Sequence, residues 1–250
     1  MNCLLLSCFL CAALAESEKA SSITAQQTRS APAAQADCVI LIHGLGRTPL
    51  SMMWLEWTLE RAGYQVVNFG YPSRRFNVEQ LVEEYLDKAV ATQRKAGRIH
   101  FVTHSLGGIV LRDYLAGHTM TNLGRVVMLA PPNHGSELAD RLKQSALGRW
   151  ILGPAGCEVG TGASALPERL GPAHFQPGVI AADGPVHRWL FHVFSGPNDG
   201  KVSVESAKLE GMADFLVVPG SHTWIMWRAD TARQVLAFLQ RGHFARDPKM

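Results

Sequence analysis

The sequence predicts an α/β fold, with a mostly parallel central sheet, helices on both faces and a small lid-like insertion. Three observations predict it. Short, all-apolar, β-branched runs such as Cys38–His43 (CVILIH) are of the kind buried in a parallel sheet. Segments of helical spacing separate these runs, and regular strand–helix alternation implies parallel strands with crossover helices. The composition over 250 residues is 47% hydrophobic and 18% charged, which suits one α/β domain and is too apolar for disorder. With 24 Lys+Arg against 21 Asp+Glu the formal charge is +3, and no Lys/Arg run supports a nucleic-acid footprint. No apolar stretch reaches the roughly 18 residues that a membrane-spanning helix needs.

Taken in order, residues 1–15 read as a secretory signal peptide. An apolar run (CLLLSCFLCAAL) precedes Ala13-Leu14-Ala15, an A-x-A cleavage site, although the n-region holds no Lys or Arg. This predicts a secreted or periplasmic protein. A lipid anchor is the weaker expectation, because Cys8 lies very early and Cys11 follows bulky Leu10. Cleavage removes three of the five cysteines and leaves Cys38 and Cys157, either as a disulfide or as two free thiols. Residues 16–36 read as a flexible leader. The domain proper spans 37–241, followed by a C-terminal tail at 242–250. Its strands are expected at Cys38–His43, Gln65–Phe69, Arg98–Thr103, Arg125–Ala130, Trp189–Phe194 and Asp214–Val218. Helices are expected at Ser51–Ala62 (stopped by Gly63), Asn77–Lys95 (capped by Asn77), Leu106–Ala116 and Ala229–Arg241. From about 131 to 185 Gly and Pro crowd the chain, and an insertion is expected. It is either a lid over an acyl-chain pocket or a set of helices on the sheet edge.

Chemistry concentrates at four points. In Val102-Thr103-His104-Ser105-Leu106-Gly107-Gly108 a β-branched strand runs into Ser105 and a helix starts directly after it. This is the strand–turn–helix context of a nucleophile elbow, with Thr103 standing where the first glycine of G-x-S-x-G is usual. There the Leu106 N–H sits at a helix N-terminus, able to stabilise an oxyanion. His43-Gly44-Leu45-Gly46 follows the first strand and offers the Leu45 N–H as a second donor. In isolation it reads as a glycine-rich turn with a core histidine. Asp199 lies in the turn Asn198-Asp199-Gly200, and His222 in the loop after the last strand. Parallel strands bring such loops to one sheet edge.

The blocks HGLGR (43–47), VTHSLGGIV (102–110), LAPPNHGSELAD (129–140), GPNDGKVSVESA (196–207) and GSHTWIM (220–226) resemble the lipase-like branch of the α/β-hydrolase fold. The likeness is to small bacterial lipase/esterase-type hydrolases related to the GPI inositol-deacylase-like group, and it covers about 37–241. The resemblance implies Ser105 as nucleophile, Asp199 as acid and His222 as base, with oxyanion donors at Leu45 and Leu106. It implies hydrolysis of carboxylic esters, no cofactor and no bound metal. The implied partner is an ester or lipid small molecule, with transient contact at a membrane surface and no nucleic acid. The same triad serves a thioesterase, an amidase or an acyltransferase, and a non-catalytic binding protein on this fold is a further alternative. His104 is expected to pack, while His134 is read as a surface-turn residue, with substrate contact as the alternative. Asp113 and Asp140 rival Asp199 by residue type only. Ser203 and Ser206 are expected as caps or turn hydrogen-bonders, and Trp224 as a core or rim aromatic or else an acyl-pocket residue.

Overall fold

The computed structural model describes residues 35–184, 193–194 and 196–246. The expected signal peptide, nearly all of the leader, most of the strand expected at Trp189–Phe194 and residues 247–250 lie outside the described residues. The chain divides into two units, Met1–Gln35 and Ala36–Met250, and the fold below is that of the second.

Six parallel strands form its sheet in the order β2-β1-β3-β4-β5-β6. They are β1 (Cys38–Ile42), β2 (Gln65–Phe69), β3 (Ile99–His104), β4 (Leu123–Leu129), β5 (Gly178–Ala182) and β6 (Asp214–Val218). Five coincide with expected strands. The fifth in order, β5, falls inside the stretch expected as an insertion, so the irregular segment ends near residue 177 instead of 185. Its sequence, GVIAA, is wholly buried but holds only two β-branched residues, and Pro177 and small neighbours hide the strand pattern.

Side chains alternate across the sheet, so each strand feeds two cores. Cys38, Ile40, Ile42, Phe101 and Met128 point to one face. There they meet a long helix, α2, made of Val78–Leu81, a π turn Val82–Leu86 and Asp87–Thr92. Beside it packs α3 (Leu106–Gly117) through Ile109, Val110 and Tyr114. Val39, Leu41, Val102, Val127 and Leu129 point the other way, against α1 (Met53–Arg61) and the C-terminal helix described below. Asn77 caps α2 as expected, accepting from Gln80 N while the Gln80 side chain answers the Asn77 N–H.

The segment after β4 carries α4 (Glu137–Leu142), α5 (Ala146–Glu158) and α6 (Leu166–Arg169). It is held down by isolated polar links to the rest of the domain. The buried Arg112 guanidinium, on α3, donates to the carbonyls of Asn133, Pro167 and Gly171 at 2.7–2.9 Å. At Gly153 the backbone breaks helical geometry with φ 65°, and a Cβ there would collide with the Arg74 carbonyl oxygen. The remaining helices are α7 (Val204–Ala207) and α8 (Ala229–Arg241), the latter ended by left-handed Gly242. Beyond it Phe244 is buried against Phe238 with ring centroids 5.1 Å apart. The fold therefore runs past 241, and the tail expected at 242–250 begins with core residues. Cys38 and Cys157 are free thiols. No helix among the described residues is long and apolar enough to cross a membrane.

Candidate active site

The strand order reverses direction between β1 and β3, since β1 is followed outward by β2 and β3 by β4. At such a switch point the loops leave the carboxyl ends of the strands in opposite senses and open a crevice. Ser105 stands there, between the end of β3 and the start of α3, with φ 53° and ψ −123°. That conformation costs a non-glycine residue on the order of 1–3 kcal/mol. It is held because Gly107 lets α3 ride against β1: a Cβ at 107 would lie 2.5 Å from the Ile42 carbonyl oxygen. Thr103 is fully buried two residues earlier on β3, so the β-branched substitute is accommodated within the core.

Asp199 arrives from the connection between β5 and β6, and His222 from the loop after β6. Asp199 Oδ1 accepts from the N–H groups of Lys201 and Val202, both at 2.9 Å, a tight Asx turn that leaves Oδ2 aimed outward. The His222 N–H donates to the Asp199 carbonyl at 3.0 Å, which locks the two loops together. His222 Nδ1 then lies 2.7 Å from Asp199 Oδ2, and His222 Nε2 lies 2.8 Å from Ser105 Oγ. A carboxylate only accepts, so the neutral ring carries its proton on Nδ1 and offers bare Nε2 to the serine hydroxyl. Asp199 and His222 are almost fully buried while Ser105 stays partly open.

His104 does more than pack. Its Nε2–H donates to the His222 carbonyl at 3.0 Å, and the two rings lie 4.9 Å apart. Burial, then the neighbouring His222, hold its pKa well below the ordinary 6.5, so it remains a neutral donor. On the opposite side His43 stacks on Tyr71 at 4.3 Å, and the Tyr71 hydroxyl donates to the His43 carbonyl, anchoring the His43–Gly46 loop. Gly46 N–H donates to Ser73 Oγ, which leaves Leu45 at the crest of that loop.

Ser105, His222, Leu45 and Leu106 all line one cavity of about 320 Å³, within the range of small-molecule sites. Its far wall is apolar and comes from the segment after β4, through Leu138, Leu142, Ile151 and Leu152. Its rim holds Arg47, Arg74 and Lys201, cations that sequence patterning had no means of grouping. Other candidates lie elsewhere. His134 pairs with Glu168 at 2.8 Å outside the cavity, and Trp224 is exposed and does not line it. Asp140 serves Thr161 and Lys143. Ser203 and Ser206 act as expected of caps and turn bonders: Ser203 caps α7, and Ser206 donates to Gly135 O. Among the described residues no group of three or more metal-donor side chains is placed to hold an ion.

A strained serine at the switch point of a parallel sheet, joined to a buried histidine–aspartate pair, places the protein among the hydrolases. The chain belongs to the alpha/beta hydrolase family, whose model matches residues 39–248. No curated protein matches it. Among solved structures it is similar to the mature lipase BlEst2 of Bacillus licheniformis, at 19% identity and a TM-score of 0.64, covering 85% of this chain and 94% of that one. It is also similar to the metagenomic carboxyl esterase MGS0156, at 21% identity and a TM-score of 0.57, covering 80% and 69%. A third is phospholipase PlaB from Legionella pneumophila, at 19% identity and a TM-score of 0.58, covering 76% of this chain and 53% of that one. At these identities the likeness is one of fold.

Proposed function

We propose that the protein is a serine hydrolase of carboxylic esters, acting through an acyl-enzyme. The observation that carries this reading is the unbroken relay from Asp199 Oδ2 through His222 to Ser105 Oγ, with links of 2.7 and 2.8 Å. Serine is a weak nucleophile until a base takes its proton. His222 Nε2 accepts the Ser105 proton as Oγ bonds to the ester carbonyl carbon, and Asp199 stabilises the imidazolium. The carbonyl oxygen becomes an oxyanion, met by the N–H groups of Leu45 and Leu106; removing one such donor typically costs about 10²–10³ in rate. The imidazolium then protonates the departing alcohol as the C–O bond breaks. A water, deprotonated by the same nitrogen, attacks the acyl-serine and releases the acid, returning the proton to Ser105.

The apolar wall suits an acyl chain. The lipase and esterase names of the structural neighbours agree with ester or lipid substrates. Leu147, Trp150 and Ile151 are exposed on α5, which supports transient contact with a membrane surface. The signal-like first 15 residues support secretion or a periplasmic location. The test is hydrolysis of p-nitrophenyl esters from acetyl to palmitoyl, with labelling by a fluorophosphonate. Ser105→Ala and His222→Ala should each abolish turnover, and Ser105→Ala should abolish labelling, in folded protein. Retained turnover in either variant retracts the reading.

A further inference from the structure

The rim of the cavity has a feature that ester hydrolysis alone does not require. Arg47, Arg74 and Lys201 converge on it, and its lining contains no Asp or Glu. Among the described residues none of the three forms an ion pair with a carboxylate. Asp199 does not serve that purpose, because Oδ1 holds two backbone N–H groups and Oδ2 holds His222. Arg74 is committed in part, donating to the Trp150 carbonyl and lying over the Trp150 ring at 5.1 Å. Arg47 has only a 3.3 Å contact with the Thr223 carbonyl. Lys201 is fixed by its main chain, whose N–H binds Asp199 and whose carbonyl accepts from Ser136 Oγ at 2.6 Å. Its ammonium is left free at the mouth. Crowding by protein and then by Arg47 pushes that ammonium below the usual lysine range, a sign that the like charges bear on one another. Two unpaired cations held near each other beside a partly desolvated cavity repel, and an anion between them relieves the repulsion.

We propose that this rim is an anion subsite and that the substrate is an ester carrying a phosphate or carboxylate in one half and an apolar chain in the other. Arg47 and Lys201 hold the anion, Arg74 supports it from the α5 side, and Leu138, Leu142, Ile151 and Leu152 take the chain. Arg supplies planar paired donors and Lys a point charge, a combination suited to oxyanions. This assignment rests on the reading of the cavity as the site of ester hydrolysis and names its substrate class.

The experiment compares 1-acylglycerol with 1-acylglycerol 3-phosphate of the same acyl chain, below the concentration at which either aggregates. The phosphate ester should show a kcat/KM higher by about tenfold or more, the equivalent of one well-placed charge contact. The ratio should fall toward one in Arg47→Gln combined with Lys201→Gln, and shrink at high salt. Equal kcat/KM for the two esters, a preference that appears only on aggregated lipid, or a ratio that survives in the double variant overturns the proposal. A second arm reads binding without turnover: dodecyl phosphate against dodecanol, by calorimetry on Ser105→Ala. Tighter binding of the phosphate, lost in Ser105→Ala that also carries both Gln substitutions, supports the subsite even if no ester is cleaved, in which case only the hydrolase reading fails. Equal binding of the two compounds overturns the subsite whatever the turnover.

Discussion

The two walls of the cavity are built by different means. The rim formed by Gly44–Arg47, Thr103–Leu106, Asp199 and His222 is set by backbone geometry at the ends of strands. A positive φ at Ser105, an Asx turn at Asp199 and a close approach at Gly107 each act within a few residues or across one strand pair. The opposite wall, from Ser136 to Val159, has no sheet beneath it. It is tied down by isolated polar links to distant positions, and by others that pin its flanks. Arg112 binds three carbonyls spread over Asn133 to Gly171, Glu158 accepts from the Val78 N–H, and the Ala155 N–H finds the Phe76 carbonyl. A wall of the first kind is hard to move and its chemistry can be removed without unfolding it. A wall of the second kind can be loosened by one substitution.

The sharpest way to separate the two is to cut one polar link in each. Asp199→Asn leaves the Asx turn an acceptor at Oδ1 but presents His222 with a group that does not stabilise the imidazolium. The expected loss is about 10⁴-fold in kcat on p-nitrophenyl esters. The unfolding midpoint in urea should move little. A variant that keeps most of its rate would mean that another carboxylate orients His222, and the rim would no longer be a self-contained unit. For the other wall, Arg112→Leu strips the donors from two buried carbonyls and one partly buried carbonyl at once. Each buried group left without its partner costs about 1–3 kcal/mol, so urea unfolding should report a loss of about 3 kcal/mol or more. If Arg112→Leu unfolds at the wild-type concentration of urea, the second wall is held by packing and the contrast fails.

The same contrast explains what sequence could and could not show. The strands β1 to β4 and β6, the capped start of α2 and the turn at Ser105 are visible because their causes are local: apolar, β-branched runs, Asn77 three residues before Gln80, glycines just after a strand. Ser105, Asp199 and His222 could be read as candidates because the blocks around them resemble those of the α/β-hydrolase fold, and parallel topology brings strand ends to one edge. The strand β5 was hidden because a central strand made of Gly, Val, Ile and Ala needs no pattern of its own when both faces are covered. The bond from His104 to the His222 carbonyl spans 118 positions and leaves no periodic trace. Nor does the convergence of Arg47 with Lys201, since neither charge is patterned with its neighbours.

A smaller effect tests whether the rim is also fixed against acid. Burial lowers the pKa of His43, His100 and His104 from the ordinary 6.5, in each case as the leading cause. Below about 6.5 the unfolded chain therefore binds protons that the folded chain refuses. Stability is complete above that pH and falls as the pH drops toward the lower folded values, by up to ~1.4 kcal/mol per pH unit for each histidine. Urea unfolding between neutral and mildly acid pH should show this slope, and His104→Gln should reduce it by one proton. An unchanged slope in His104→Gln would mean that His104 takes up its proton in the folded state and that burial does not hold the ring neutral.

The smallest expected effect bears on the outer surface of the second wall. Leu147 lies on α5 with 66% of its surface exposed, whereas Leu152 on the same helix is buried and lines the cavity. An exposed leucine that touches little should be replaceable at a cost within about 0.5 kcal/mol, so Leu147→Ser should leave the urea midpoint nearly in place. Its apolar surface then has no structural duty, and removing it should act only where the helix meets another apolar phase. Turnover of a soluble butanoyl ester should be the same in Leu147→Ser and wild type, while turnover of a long-chain ester embedded in vesicles should fall. Equal rates on embedded ester would take Leu147 out of any membrane contact and leave the two walls differing in how they are anchored, not in what they face.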